Sequence, residues 1–403
     1  MGGSVIKLHL KGVQDEYLTG NPQINFLTRQ YHNHVDFSIE QLKVYFYEDA
    51  NFDKMITINV PRRADFLSNL HFCFTLPPLV KTDGTYAAWT NSIGHTLIDY
   101  VEIEIGGYTV DKHYGLFLEI WDELSGNDKN ENLLVGKVGN MESVKFNAVE
   151  ESTYCVPLQF WFCKNIRSAL PLMCLVYHPV KLVIKLKQFS ECITYDGSLP
   201  PSIVRITDSY ILADYIYIDE TEKIKMKSKT YEMLIEQVQY KDVQGADVNT
   251  SGGVFKTDIP FNHPVKELLW VFIEDSSIDN NDWFNFSKRN PTPFTKVKSL
   301  MKNCTFWVDG KEYEERKDEI IYRYVNSKRY HTNMTDKHIY MISFCDNPEE
   351  WQPSGTLNFS RIDEAVIYGD MRSGTPANKM FIFGINYNWL VLKNGISSVK
   401  YIT

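Results

Sequence analysis

His32, His34 and Asp36 stand at alternate positions, and alternate residues of an extended strand share a face, so these three side chains could be drawn as a metal site. Zinc wants a fourth ligand at recognisable spacing, and an exposed arm accounts for the trio more cheaply. Glu102 and Glu104 are a second pair with chemical potential, since two carboxylates can serve a glycosidase as acid and base. They alternate with Val101, Ile103 and Ile105, which makes them the polar face of a half-buried strand, solvated or at a subunit contact. The patterns GxxxxGK[ST], GxSxG and HExxH are all absent. No catalytic constellation emerges, no metal or cofactor is indicated, and the chain reads as a non-enzyme.

Binding chemistry is equally sparse. Residues 322–331 (YRYVNSKRYH) and 223–229 (KIKMKSK) interleave or cluster basic groups, and the first could stack and pair with a single strand of nucleic acid. A net charge of −9 and no wider basic surface argue against a grip on phosphates, so no specific nucleic acid is expected. A solvated strand edge or loop, its Lys and Arg blocking aggregation, is the plainer reading of 322–331. The basic segment 223–229 could meet acidic lipid headgroups if it faced inward. Trp283, Trp307 and Trp351 would be sugar platforms if the chain were a lectin-like β-sandwich, the alternative reading; core or interface positions explain them as well. Five Asn-x-Ser/Thr sequons, at Asn249, Asn285, Asn303, Asn333 and Asn358, signify little for a chain outside the secretory route.

The elements that must carry these residues are strands. At 403 residues the chain exceeds what one core usually serves, and two domains of roughly 200 residues are expected. Aromatic content of 14%, with frequent β-branched runs, favours sheet. Strand-like runs fall at 37–46, 55–60, 70–76, 97–105, 156–162, 180–186 and 210–218. Residues 114–124 (YGLFLEIWDEL) place Leu116, Ile120 and Trp121 at helical spacing and predict a short helix between strands. Polar stretches at 125–151 and 196–202 read as surface loops. Seven cysteines without a CxxC pair suggest buried free thiols and a reducing compartment. No apolar run approaches the roughly 18 residues of a spanning helix, no signal-peptide layout is present, and Ile6 stands where a myristoylation motif wants Ser or Thr.

The chain also repeats itself in order. Ser38-Ile39-Glu40-Gln41 returns as Leu234-Ile235-Glu236-Gln237, EIEIGGYTVD (102–111) as TFWVDGKEYE (305–314), and LQFWFC (158–163) as YMISFC (340–345). Two copies of one β-fold are implied, with an N-terminal arm at 1–26, a first domain at 27–220, a linker at 221–230 and a second domain at 231–403.

Residues 12–41 (GVQDEYLTGNPQINFLTRQYHNHVDFSIEQ) form a run that ordinary folding does not demand. Leu18, Thr19, Gly20, Asn21, Pro22, Gln23 and Ile24, followed by Phe26, hold a Gly-Asn-Pro turn signal between short apolar pieces. This run resembles the opening of the major capsid proteins of large eukaryotic DNA viruses, the double jelly-roll family of algal viruses and iridoviruses. Segments at 97–114, 155–185, 213–220, 231–239, 261–270, 358–363 and 386–392 resemble their counterparts in the same order. Around His32-Asn33-His34 the family carries basic residues before Thr-Asn-Phe, whereas Val35-Asp36-Phe37 stands here, and the chain is compact for the family. The resemblance implies an all-β chain of two consecutive eight-stranded antiparallel jelly-roll barrels with short helices in the loops. It further implies a structural protein of the virion, assembled in the host cytoplasm, forming homotrimers of pseudo-hexagonal outline that tile an icosahedral shell. A minor capsid paralogue is the other reading within the family. The arm through Leu18–Phe26 would lie at the base, against minor capsid proteins, neighbouring tiles or an inner membrane, and loops such as 125–151 would crown the tile.

Overall fold

The computed structural model describes residues 21, 35–126, 131–138, 144–145, 148–198, 200, 204–227, 230–243, 253–288, 298–372 and 378–401. Among the described residues ten strands precede residue 220: β1 (Phe37–Tyr45), β2 (Met55–Asn59), β3 (Phe66–Leu76), β4 (Ala87–Trp89), β5 (Ile98–Ile105), β6 (Tyr108–Tyr114), β7 (Ser152–Pro157), β8 (Val180–Leu186), β9 (Ile193–Tyr195) and β10 (Thr207–Ile218). Ten follow: β11 (Tyr231–Val243), β12 (Val254–Asp258), β13 (Pro264–Glu274), β14 (Met301–Val308), β15 (Lys311–Asp318), β16 (Tyr340–Ser343), β17 (Leu357–Asn358), β18 (Ala365–Met371), β19 (Asn378–Lys393) and β20 (Ile396–Val399).

In the first set, one sheet runs β1–β10–β3–β7 and another β2–β8–β5–β6; the second set repeats this as β11–β19–β13–β16 and β12–β18–β14–β15. Each set is therefore an eight-stranded antiparallel jelly roll, with the chain passing back and forth between two sheets whose inner faces share a core. Val44, Phe72 and Phe74 of one sheet meet Ile58, Val101, Ile103 and Ile184 of the other in the first core. Phe255, Trp270, Phe272, Phe306, Ile367 and Ile382 do the same in the second. Strands β4 and β9 pair apart from the rolls, and β17 and β20 extend the larger sheet of the second.

The internal repeat is clearest where two strands turn through two residues. Gly106-Gly107 joins β5 to β6 at φ 63° and 86°, and Asp309-Gly310 joins β14 to β15 at φ 48° and 72°. Both are hairpin turns that need positive φ at each central residue, which glycine and aspartate tolerate. Asp309 is further tied down by its carboxylate, which accepts from the backbone N–H groups of Asp363 and Glu364 at 2.9 and 3.0 Å. A side chain at Gly106 would run into the His178 imidazole, whereas Gly107 faces open space.

The other two echoes need correction. The Ile-Glu-Gln triplets fall on corresponding strands, β1 and β11, but Ile39 is exposed and Ile235 buried, so the letters match while the side chains do not. LQFWFC is no strand: β7 ends at Pro157, and Phe160, Trp161 and Phe162 enter the core from a turn and a one-turn helix, Trp161–Lys164. Pro157 supplies no ladder donor, and an apolar run without alternation does not distinguish a strand from a buried turn. The segment that does pair as a strand is YMIS, β16, whose counterpart in the first roll is β7.

Nor are all the cysteines free. Cys73 and Cys155 stand opposite each other in the β3–β7 register and are joined as a disulfide. Cys163, Cys174, Cys192, Cys304 and Cys345 remain as thiols. Register across a sheet brought the pair together, which sequence spacing does not reveal.

Candidate assembly surfaces

The helix Gly115–Ser125 follows β6 and is the main device joining the rolls. Its sequence GLFLEIWDELS places Phe117, Ile120, Trp121 and Leu124 along one stripe at helical spacing. Gly115 starts it in close contact with the carbonyls of His95 and Ile98, where a Cβ would not fit. Leu118 turns into the first roll's core. The Phe117–Leu124 stripe instead packs on the second roll, against Leu269, Val271 and Ile273 of β13, Met341 of β16, and Phe383 and Ile385 of β19. The rings of Phe117 and Phe383 lie 5.6 Å apart, and Tyr114 and Tyr240 meet at 4.1 Å.

This explains the unbroken apolar run in β13. Leu268, Trp270 and Phe272 face the second roll's own core while Leu269, Val271 and Ile273 face the foreign helix, so the strand is buried on both sides. Each large side chain so covered contributes about 2 kcal/mol.

A polar network surrounds this apolar seam. Glu119, fully buried, accepts from Ser92 Oγ at 3.1 Å and meets His95 Nδ1 at 2.6 Å, both from the first roll. Lys337 of the second roll pairs with Glu119 and with Glu123, the latter at 2.9 Å, and Lys137 also reaches Glu123 at 2.6 Å. Burial alone would raise the Glu119 pKa, but Lys337 and His95 outweigh it and hold this carboxyl well below the usual range. Lys337 is correspondingly pushed up: burial opposes its charge, and Glu119 and Glu123 more than offset that.

Two more clusters complete the seam. Lys164 of the first roll pairs with Glu236 of β11 at 2.8 Å, and Lys266 of β13 joins the same carboxylate and donates to Pro348 O at 2.6 Å. Burial works against the Glu236 charge, yet the two ammonium groups bring its pKa down to about 2. His331 sits between Glu267, at 2.7 Å, and Glu349, at 2.8 Å, with its ring edge-on to Trp121. Desolvation opposes its protonation, and the two carboxylates overcome this and raise its pKa to about 9.

The strand edges are joined as well. Asp111 of β6 accepts from the Val238 N–H of β11 at 3.0 Å, capping an edge that would otherwise be open. Trp283 donates to Glu191 O at 2.9 Å with the Lys187 ammonium 3.6 Å from its ring centre.

The residues singled out from sequence scatter around this seam. Of the arm, Asn21 alone is described, exposed with φ 46°; Leu18, Thr19, Gly20, Pro22, Gln23, Ile24 and Phe26 lie outside the described residues, as do His32 and His34. Glu102 and Glu104 are paired with Lys112 and Lys181 at 3.7 and 3.3 Å. Trp283 belongs to the seam, Trp307 lies exposed on β14 and Trp351 near Glu236 and Tyr387, so they form no common platform. Residues 322–331 are not a strand edge: 322–330 are helical and His331 is the extended C-cap, with Tyr322 in the second core, Arg323 buried and His331 in the seam. Tertiary packing of four of the ten side chains, Ser327 among them, overrode what looked like a solvated basic run. The basic stretch before β11 lies largely in the helix Glu220–Lys227, none of whose residues is buried.

Burial pushes the Cys163 and Cys192 thiols up to about 12, which removes their nucleophilic form at neutral pH. Among the described residues no group of three or more His, Cys, Asp or Glu is placed to hold a metal, and no helix is long and apolar enough to cross a membrane.

Comparison with known proteins is consistent along the whole length. Residues 25–219 match the family described as "Major capsid protein N-terminus", and residues 222–398 that described as "Large eukaryotic DNA virus major capsid protein". The chain is 32% identical over 424 aligned residues to a major capsid protein of Pyramimonas orientalis virus, covering 100% of both chains. It is 27% identical to that of Paramecium bursaria Chlorella virus 1, covering 91% of this chain and 87% of the relative. Among solved structures, a chain of the PBCV-1 virus capsid superposes with a TM-score of 0.80 at 23% identity, over 94% of this chain and 100% of the other. The Faustovirus major capsid protein does so at 0.72 and 13%, over 95% and 94%.

Proposed function

The chain belongs to the family of major capsid proteins of large eukaryotic DNA viruses, and on that premise we propose that three copies close into a capsomer of pseudo-hexagonal outline that tiles an icosahedral shell. Its place is the virion capsid, and its work is structural. One observation carries the proposal: the helix Gly115–Ser125 seals one roll to the next inside the chain, giving a block with two similar barrels in fixed relation. Three such blocks around an axis present six barrels, and closed rings of this kind are the usual outcome of head-to-tail contact that closes.

Further parts of the reading follow the same premise. The chain divides into an arm at 1–26, a first roll at 27–220, a linker at 221–230 and a second roll at 231–403. The arm, including Leu18–Ile24 and Phe26, lies at the base of the capsomer, where it meets minor capsid proteins, neighbouring capsomers or an inner membrane. Assembly takes place in the host cytoplasm.

Light scattering on the purified protein should give three times the chain mass, and electron microscopy should show lattices or shells. A monomer that forms neither would sink the proposal. Removing residues 1–26 should leave trimers intact while shells fail; loss of folding would show that the arm is part of the first roll.

A further inference from the structure

The first roll supplies a helix that the second roll's sheet needs, and the second roll carries a matching element, packed on its own strands, that leaves large apolar side chains exposed. After β15 the chain turns helical through Ile321–Val325 and Asn326–Tyr330, as it does through Gly115–Ser125 after β6. Tyr322 enters the second core as Leu118 enters the first, and this shared anchor fixes the correspondence between the two segments. Phe117, Ile120 and Trp121, which cover the foreign sheet, then answer to Ile321, Tyr324 and Val325, and Leu116 to Ile320. Ile320 is 50% and Val325 49% exposed, with Ile321 and Tyr324 half-buried. Large apolar side chains in that state on a helix face call for a partner.

The complementary exposed apolar side chains are on β1 of the first roll, beside Ile216 and Tyr210, which are already buried. The outer face of β11–β19–β13–β16 is sealed by the helix, but no corresponding cluster stands on the outer face of β1–β10–β3–β7 among the described residues. Phe37, Ile39 and Tyr45 lie there 53, 50 and 59% exposed, paired across the register with Ile218, Ile216 and Tyr210. The sheet is not wholly apolar: Asp214 binds Gln41 and Asn69 at 3.0 and 3.1 Å, and the Lys43 ammonium sits 4.1 Å from the Tyr210 ring centre. Exposed Lys328 and Arg329 on the helical segment are opposite in charge to Asp208 and Asp214 on β10. Within one chain the two surfaces do not meet, since no packing cluster joins residues 319–330 to β1 or β10.

We infer that residues 319–330 of one chain dock on the outer face of β1–β10–β3–β7 of a second copy, reproducing between chains the seam found inside each. The inference rests on the trimer proposed above and names its contact. The contact is head-to-tail, so every chain offers one helix and one sheet, and the ring is complete when the last helix finds the first sheet.

Two variants test it, each altering only exposed side chains. A helix variant carries Ile320→Glu with Val325→Glu, and a sheet variant carries Phe37→Glu with Ile39→Glu. Each alone should lose the trimer and sediment as a monomer, with circular dichroism and thermal unfolding showing an intact fold. Mixed together they should form one-to-one heterodimers and no trimers, because the intact helix of one fits the intact sheet of the other while the remaining pair is spoiled. A helix variant that still forms trimers overturns the docking pair while leaving the trimer itself standing, as does a mixture that stays monomeric. A wild-type monomer would fell the trimer first and this contact with it.

Discussion

Glu119 of the first roll is closed off from water and holds Lys337 of the second roll in an ion pair, with Ser92 and His95 completing its hydrogen bonds from behind. A buried pair is costly to break from one side, because the remaining charge keeps its desolvation penalty without its partner. Lys337→Met should therefore destabilise the protein by about 3 kcal/mol, and adding Glu119→Leu should recover much of that loss. Denaturant unfolding of the two variants checks this; equal losses in the single and double variants would refute it.

The cluster at His331 should respond to alkaline pH. Its pKa is raised from 6.5 to about 9 in the fold, so the folded state holds the proton more tightly than the unfolded chain does. The stability it contributes is present in full below about pH 6.5 and is lost as pH rises through about 9, with an upper limit of about 3 kcal/mol. Unfolding free energies of the wild type and His331→Gln, compared between pH 7 and 10, should converge as pH rises. Curves that diverge would contradict the assignment.

The two hairpin turns should tolerate substitution unequally. Gly107→Ala and Gly310→Ala each place a Cβ at positive φ in open space, costing about 1–2 kcal/mol. Gly106→Ala adds a collision with the His178 ring and should cost clearly more. Thermal unfolding of the three variants ranks them, and a Gly106 variant no worse than the others would show that His178 yields freely.

Thiol counting tests the sulfur chemistry. Alkylation of denatured protein without reductant should modify five cysteines, and seven after reduction, with the difference mapping to Cys73 and Cys155. Seven modified residues without reductant would restore the reading of free thiols throughout.

What the sequence disclosed, and what it withheld, follows from the range of the interactions. The Gly106-Gly107 turn and its Asp309-Gly310 counterpart were visible because positive φ restricts residue choice within two positions. The helix was visible because Leu116, Ile120 and Trp121 repeat at its own period, and it runs Gly115–Ser125 where 114–124 was expected. Its purpose was not, since the surface it covers lies on β13, far along the chain. Glu119 and Lys337 are 218 residues apart, and no local pattern marks either as half of a pair. Cys73 and Cys155, 82 residues apart, meet only through strand register. Residues 322–331 misled because their composition is that of a solvated face while Tyr322, Arg323 and His331 point inward.

Burial of β13 on both faces also sets an order of events during synthesis. The stripe of Phe117, Ile120, Trp121 and Leu124 leaves the ribosome well before β13, β16 and β19, the strands that will cover it. At typical elongation speeds that interval is on the order of tens of seconds. Throughout it the nascent first roll displays an apolar helix face with its destination still unmade, so premature termination before residue 264 should yield a sticky fragment rather than a free-standing domain. The seam that makes the finished block stiff is thus also the step at which an unfinished chain is most open to aggregation or to capture by a chaperone.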